Sequence, residues 1–304
     1  MRAGLGKAGQ KELYSKYFYD DLGSALFDAI TLLPEYGLTR AELRLLHQHA
    51  SELSERCGNL STVVELGSGS GEKARLILPH LVKVQPITYC PIDLSTAALS
   101  RCQRDLDDVP NLKIVPIEDS YIEGLSAASK MRKPQTTVLA LFLGSSIGNF
   151  DPPVAEEFLR TVRGILSTGD VFLLATDLVK NVDQMLAAYN DPLGLTAAFN
   201  LNLLARINRS LGGNFDLQQF EHEARYNDTE QRIEMHLRSK SDQAVSINRS
   251  FTVKLGKRET IWTESSYKFH VEQVRSMSER AGFSCAAQWI DEEWPFGQSL
   301  LRVI

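Results

Sequence analysis

Val63-Val64-Glu65-Leu66-Gly67-Ser68-Gly69-Ser70-Gly71-Glu72-Lys73 reads as a buried strand, an acidic residue, a glycine-rich turn and a helix start. That order is how an open α/β sheet holds a nucleotide-like cofactor at the carboxyl end of its first strand. Glycines permit the tight turn and let backbone approach a ligand without a Cβ in the way. A nicotinamide-binding turn has the form G-x-G-x-x-G, with a pyrophosphate on the helix N-terminus. Gly67 and Gly69 fit that form, but the third position holds Glu72 and the glycine comes one residue early, at Gly71. A carboxylate facing a pyrophosphate is repulsive. The alternative is a glycine turn that binds nothing.

S-adenosylmethionine has no phosphate and carries a cationic sulfonium and an α-amino group. Glu65 before the loop and Glu72 after it suit that cofactor better. The pattern h-h-E-L-G-x-G-x-G resembles the first motif of class I S-adenosylmethionine-dependent methyltransferases.

Outward from the loop the chain alternates strand and helix. The expected strands are 62–66, 87–92, 112–116, 137–143 and 171–176, and the helices 72–81, 97–105 and 154–166. Ser95 is read as the N-cap of the second helix. The uninterrupted apolar run at Thr137 to Leu143 is typical of a central parallel strand. This βαβ alternation predicts an α/β, doubly wound sheet. Before it, helical spacing covers Tyr14 to Ile30, with an aromatic cluster at Tyr14, Tyr17, Phe18 and Tyr19. Pro34 then makes a loop. Thr39 reads as the N-cap of a helix over 41–53, with Glu42 as its capping-box partner.

After strand 5 the pattern changes. Residues 178–220 read as helical, broken at Asn190-Asp191-Pro192. Strands are expected at 232–238, 246–255 and 261–269, then a helix over 271–281 ended by Gly282. The segments 284–290 and 296–303 form a closing strand pair. The region 178–268 thus interrupts a regular cofactor sheet, and an insertion of that size shapes a substrate site. The expected division is a cofactor-binding core of 41–177 and 269–304, and a second, α+β domain of 12–40 and 178–268. Met1 to Lys11 is polar and glycine-rich, lacks the apolar core of a signal peptide, and is expected as a loose, flexible tail.

Composition narrows the function. A formal net charge of −5 gives no basic footprint for nucleic acid. No apolar run is long enough to cross a bilayer. The cysteines Cys57, Cys90, Cys102 and Cys285 are scattered without a C-x-x-C, as in a reduced, cytoplasmic protein. His47 and His49 stand two apart on a helix and offer no metal site. No metal is expected.

Ligands in such a sheet sit beyond the carboxyl ends of the strands. That rule selects the loop at Gly67, Asp93, Asp119 and the turn Gly144 to Asn149. Asp93 stands at the interval where an acidic residue binds ribose hydroxyls, or else serves as a turn residue before Ser95. Asp119 accepts from an adenine amino group or is a solvated carboxylate. Lys73 pairs with a cofactor carboxylate or is a helix-surface lysine. Asn149 offers a donor and an acceptor for an amine and a carboxylate, or caps the helix at Asp151-Pro152. On a strand, Glu264 and Ser266 point the same way and together could grip a two-nitrogen ring; otherwise they are an exposed polar face.

Several motifs in order then match one family. Tyr17-Phe18-Tyr19-Asp20, Gly23-Ser24, Leu26-Phe27-Asp28, Leu33-Pro34-Glu35-Tyr36, Glu65-Leu66-Gly67-Ser68-Gly69 with Glu72-Lys73, and Phe142-Leu143-Gly144-Ser145 with Ile147-Gly148-Asn149 resemble the L-histidine Nα-methyltransferases of ergothioneine biosynthesis. So do Thr176 to Lys180, Thr196 to Asn200, Phe220-Glu221-His222, Arg232 to Met235 and Thr263-Glu264. The resemblance covers nearly the whole chain. It implies a class I, Rossmann-like methyltransferase sheet plus a substrate-binding domain built from the N-terminal segment and the insertion. It implies that Tyr36, Glu264 and Ser266 contact the substrate imidazole, with Met235 lining that pocket. Asn149 and Tyr189 hold the α-carboxylate and α-amine, with Tyr19 nearby; Asn149 and Tyr19 are the implied catalytic pair. Gly67, Ser68, Gly69, Lys73, Asp93, Asp119, Ser120 and Ser145 hold S-adenosylmethionine. Three departures stand out: Gly37 and Ser120 where relatives carry aromatics, and His236 where a tryptophan is common.

The implied reaction is trimethylation of the α-amine of L-histidine to hercynine by a cytoplasmic monomer, without nucleic acid or membrane. The rivals are a related enzyme acting on a tryptophan derivative, a nicotinamide-dependent oxidoreductase, and a non-catalytic S-adenosylmethionine sensor. Glu264 with Ser266 argues against indole, which has one donor and no acceptor.

Overall fold

The computed structural model describes residues 1–248 and 250–304, and the chain divides into two compact units. The larger is Leu38–Val179 with Phe269–Ile304. Its sheet runs, edge to edge, Phe283–Asp291, Phe296–Val303, Val171–Asp177, Thr137–Phe142, Leu60–Leu66, Ile87–Asp93 and Leu112–Ile114, with Ile117–Glu118 also on Ile87–Asp93. The inner strands pair in parallel, and the C-terminal hairpin joins antiparallel to Val171–Asp177. Every residue of Leu60–Leu66 and Val171–Asp177 is buried, because helices cover both faces. Helix Pro152–Ile165 shows how: a proline opens it, and Ala155, Phe158, Leu159 and Val162 form one buried stripe at helical spacing. Burying each large side chain of that stripe contributes about 1.5–3 kcal/mol.

The chain moves outward on one side of Leu60–Leu66, then crosses to Thr137–Phe142 on its other side. This reversal opens a crevice at the carboxyl ends of the two strands, the usual ligand position in doubly wound sheets.

The boundaries of the expected elements lie within a few residues of those observed, while helix Tyr121–Ser129 was not expected. Ser95 caps Thr96–Leu106, accepting the Ala98 N–H at 3.2 Å. Pro116 splits the third strand into Leu112–Ile114 and Ile117–Glu118, since proline cannot donate to a ladder. The capping box at Thr39 is a misreading. The helix runs Gly37–Cys57, so Thr39 lies inside its first turn, and Glu42 is wholly buried and bonded elsewhere.

The smaller unit is Met1–Gly37 with Lys180–Lys268. Its four-stranded sheet has the order Lys11–Glu12, Thr260–Tyr267, Arg232–Ser239, Phe220–Asn227. The first pair is parallel and the others antiparallel. Helices Asp21–Thr31, Val182–Tyr189 and Leu195–Leu211 complete it. Asp20 caps the first, accepting the Gly23 N–H at 2.8 Å. A Cβ on Gly23 would lie 1.8 Å from the Phe18 carbonyl oxygen, so only glycine fits there. The break at Asn190-Asp191-Pro192 is real: Asp191 accepts from Leu195 and Thr196 N–H and opens the next helix.

Three features of this unit differ from expectation. Met1 to Lys11 is no loose tail: Arg2–Leu5 is helical, Leu5 is buried, and Lys11 pairs with Ile261. Phe220–Asn227 is a strand; only Phe220 falls in the stretch expected as helical, and no element was expected over 221–227, whose half-buried residues alternate too weakly to betray one. The single strand expected over 246–255 is two, Gln243–Ile247 and Phe251–Leu255, paired antiparallel, and Arg249 within that stretch lies outside the described residues.

Candidate active site

The glycine loop follows strand Leu60–Leu66. Gly67, Gly69 and Gly71 all have left-handed backbone, with φ of 74°, 54° and 79°. Their reasons differ. A Cβ on Gly71 would lie 2.6 Å from Cys102 Sγ, so this glycine lets the loop pack on helix Thr96–Leu106. A Cβ on Gly69 would meet nothing within 4 Å, so open space lies before it. Gly67 faces the Tyr121 ring. Gly67 and Ser68 donate to the Ile92 carbonyl, and Gly69 N–H donates to Asp93 Oδ2 at 3.0 Å. Asp93 Oδ1 accepts from Ser95 N–H at 2.9 Å. Asp93 therefore ties the two turns together, and each oxygen keeps a lone pair.

Glu65 does not stand beside the loop as an exposed anion. It is buried and accepts the Tyr89 hydroxyl, and burial pushes its pKa up to about 7 despite that bond. Glu72 is exposed.

Lys73 is not a helix-surface lysine. Its Nζ is 2.7 Å from Glu42 Oε2, and a Cβ on Gly144 would come within 3.0 Å of that nitrogen. Glu42 Oε1 accepts the Gly144 N–H at 2.8 Å. The lysine is held over the turn after strand Thr137–Phe142, at the topological switch. In that turn Ser145 is left-handed, with φ of 56°, and its Oγ accepts the Asp177 N–H at 2.8 Å. Asn149 ends the short helix Ser146–Asn149. Asp151, not Asn149, is the N-cap of Pro152–Ile165. Among the described residues the Asn149 side chain makes no recorded hydrogen bond, so its amide keeps both donor and acceptor capacity. Asp119 is exposed and accepts its neighbour's Ser120 N–H at 2.7 Å. Ser120 is the N-cap of Tyr121–Ser129 without a side-chain bond. The aromatic missing at Ser120 stands one residue later: Tyr121 packs edge-on to Phe142 at 5.3 Å.

The ring-binding candidates all fall in the smaller unit. On strand Thr260–Tyr267, Glu264 lies directly opposite Met235 and Ser266 opposite Ile233. A bulge at Thr263 sets this register, and alternation places Glu264, Ser266 and Met235 on one face. Glu264 and Ser266 are not an exposed polar face. Ser266 and Met235 are buried, and burial pushes Glu264 up to about 7 while the Lys268 charge pulls it back. Tyr36 and Tyr189 are buried and meet edge-on at 6.3 Å. The Tyr189 hydroxyl donates to Ser266 Oγ at 2.7 Å. Tyr19 is 44% exposed and lies edge-on to Phe27 and Phe199, both at 5.8 Å. His236 points to the other face, stacked near Trp262.

Two contributors escaped the sequence reading. His222 binds the Tyr189 carbonyl through Nε2 at 2.7 Å, while Asn200 donates to its Nδ1. Burial lowers its pKa, which keeps this single-donor tautomer. Lys268 is 3% exposed and donates to Ser266 Oγ at 2.8 Å. Its place two residues after Ser266 was the only available hint.

A family profile described as histidine-specific methyltransferase, SAM-dependent, matches residues 1–303. The chain belongs to this family. It is a methyltransferase that depends on S-adenosylmethionine. Among the family's relatives, the histidine N-alpha-methyltransferase of Mycolicibacterium smegmatis is 39% identical over 303 residues, covering 99% of this chain and 92% of that protein. The enzyme of the same name from Mycobacterium tuberculosis is 39% identical over 98% of this chain and 92% of its own. The L-tryptophan methyltransferase trpM of Psilocybe serbica is 24% identical, covering 95% and 87%. Among solved structures, the CurJ carbon methyltransferase superposes with a TM-score of 0.51 at 13% identity, covering 92% of this chain and 59% of that one, and shares the fold alone. Among the described residues no group of histidine, cysteine and acidic side chains could hold a metal. Among the described residues no helix is long and apolar enough to cross a membrane.

Proposed function

We propose that the enzyme transfers three methyl groups in succession to the α-amine of L-histidine, giving the betaine hercynine, as the first step of ergothioneine synthesis. One observation carries the choice of substrate: half-buried Glu264 and buried Ser266 share a strand face with Met235, and the Tyr189 hydroxyl bonds Ser266. A carboxylate and a hydroxyl match the two nitrogens of imidazole.

The residues of the larger unit fit S-adenosylmethionine. The open approach at Gly69, the lone pairs of Asp93 and the Lys73 ammonium offer a backbone cradle, ribose acceptors and a partner for a carboxylate. Gly67, Ser68, Asp119, Ser120 and Ser145 complete the proposed set. The cofactor, when bound, supplies an electrophilic methyl group. What the protein contributes is alignment, which is worth several kcal/mol when the reacting atoms are held in line. The attacking amine must be neutral, and its free value lies near 8. Asn149 and Tyr19 orient it without a strong base, while Asn149 and Tyr189 hold the carboxylate. Aromatic faces favour alkylated ammonium groups, which retains the partly methylated intermediates. The reading takes the enzyme as a cytoplasmic monomer acting on a free amino acid.

The tryptophan-derivative reading has a specific basis in the Psilocybe relative, but indole leaves one member of the Glu264–Ser266 pair without a partner. Incubation with S-adenosylmethionine and each amino acid in turn, read by mass spectrometry, tests the choice. Mass gain on histidine is the expected result, and gain on tryptophan instead would reverse it.

A further inference from the structure

Lys268 closes the end of strand Thr260–Tyr267 inside the smaller unit, with its ammonium buried. Its Nζ donates to Ser266 Oγ at 2.8 Å and to Tyr189 Oη at 3.1 Å, and sits 4.8 Å from the Tyr189 ring centroid. The Tyr189 hydroxyl in turn donates to Ser266 Oγ at 2.7 Å. The two ammonium bonds can run only one way, and the hydroxyl pair runs from Tyr189 to Ser266. An ammonium only donates, and a serine oxygen has two lone pairs and one proton. Lys268 and Tyr189 occupy both lone pairs of Ser266. What Ser266 has left for a ligand is its proton.

We propose that Lys268 sets Ser266 as an obligatory hydrogen-bond donor, so that the site takes the uncharged imidazole ring and rejects imidazolium. One ring nitrogen accepts from Ser266, and the N–H of the other donates to Glu264. This rests on the reading of Glu264 and Ser266 as the histidine-ring site. Imidazolium carries a proton on both nitrogens, and its second N–H would point at a hydroxyl with no lone pair to offer. The charges agree. The Glu264 carboxylate and Lys268 ammonium balance, so a neutral ring adds no net charge to a buried place, where an uncompensated one is costly. Burial lifts the ligand-free Glu264 to about 7 against the pull of the Lys268 charge, and accepting the ring N–H favours its ionised form in the complex. The other titratable groups packed here among the described residues are Tyr36, Tyr189, Tyr226 and His222, and burial shifts His222 toward its uncharged form.

The test uses the full-length wild-type protein. Histidine labelled with 15N in the ring is bound in the presence of S-adenosylhomocysteine at about pH 6, below the free imidazole value of about 6.5. Two unlike ring-nitrogen signals, one protonated and one bare, are expected. Bound histidine with two protonated nitrogens would overturn the proposal and leave the substrate reading intact. Absence of histidine binding would overturn both. A second arm compares histidine with an analogue whose Ser266-facing nitrogen is replaced by C–H, a pyrrole ring. Wild type should prefer histidine by at least about tenfold, the cost of an unpaired buried hydroxyl. In Lys268→Met, with S-adenosylhomocysteine affinity confirming the fold, that preference should fall about fivefold or more, because the Ser266 hydroxyl is no longer fixed by the ammonium and can turn its proton away from the analogue's C–H to another acceptor. A lysine with a merely structural role would weaken both ligands alike and leave the ratio unchanged, and that result would overturn the proposal. If Lys268→Met does not fold, the wild-type spectrum decides.

Discussion

The Lys73 ammonium lies 2.7 Å from the carboxylate of Glu42, a residue whose side chain is wholly buried. The second Glu42 oxygen takes the Gly144 N–H at 2.8 Å. One carboxylate thus fixes a lysine from the first βα turn and a backbone amide from the fourth. Glu42→Ala strands a buried N–H and unpairs the lysine, and should cost about 2–4 kcal/mol in chemical denaturation. Glu42→Gln keeps an acceptor for Gly144 and should cost less than half of that. Equal losses in the two variants would show that the Gly144 bond contributes nothing.

Glu264→Ala removes the proposed acceptor for the ring N–H. A hydrogen bond to a charged group is worth about 1.5–3 kcal/mol, so histidine affinity should fall roughly 10- to 150-fold. Titration calorimetry should find S-adenosylmethionine affinity within about twofold of wild type, because the proposed cofactor residues lie in the other unit. Equal loss of both ligands would contradict the assigned role.

Glu65 predicts how stability varies with pH. Its folded pKa, about 7, lies above its ordinary value of 4.5. Between these values the folded state binds the extra proton. The stability this gives is present below pH 4.5 and is lost as pH rises through 7. Glu65→Gln keeps an acceptor for the Tyr89 hydroxyl and has nothing to ionise. In ligand-free denaturation it should match wild type near pH 4 and exceed it by up to about 3 kcal/mol near pH 8. A difference that stays constant across that window would refute the burial account.

Two of the loop glycines, Gly69 and Gly71, should separate by cost. Gly71→Ala meets Cys102 Sγ at 2.6 Å in addition to its left-handed backbone. Gly69→Ala meets nothing and bears only the backbone strain, about 1–2 kcal/mol. Thermal unfolding of the two variants should therefore show the larger loss for Gly71→Ala. The reverse order would mean that the glycines were assigned the wrong tasks.

What the sequence disclosed follows from which interactions are local. Leu60–Leu66 and Thr137–Phe142 are apolar throughout because both faces are covered, and that is visible in any short window. The Glu264–Ser266 face was legible because strand alternation is local too. Phe220–Asn227 was not: its residues are half-buried on both faces and leave no period to read. The N-terminal segment was misjudged because Lys11 finds its partner Ile261 far along the chain. Glu42 and Lys268 were hidden for the same reason. A glutamate three residues after a threonine looks like a cap, and only the tertiary fold brings Gly144 and Lys73 to it.

The central claim is the acceptor and the extent of its methylation. The direct measurement is a mass-resolved time course with histidine and excess S-adenosylmethionine. The account predicts that the mass of three added methyl groups dominates from early times. Histidine unchanged in mass, or a steady accumulation of the monomethyl product, would contradict it.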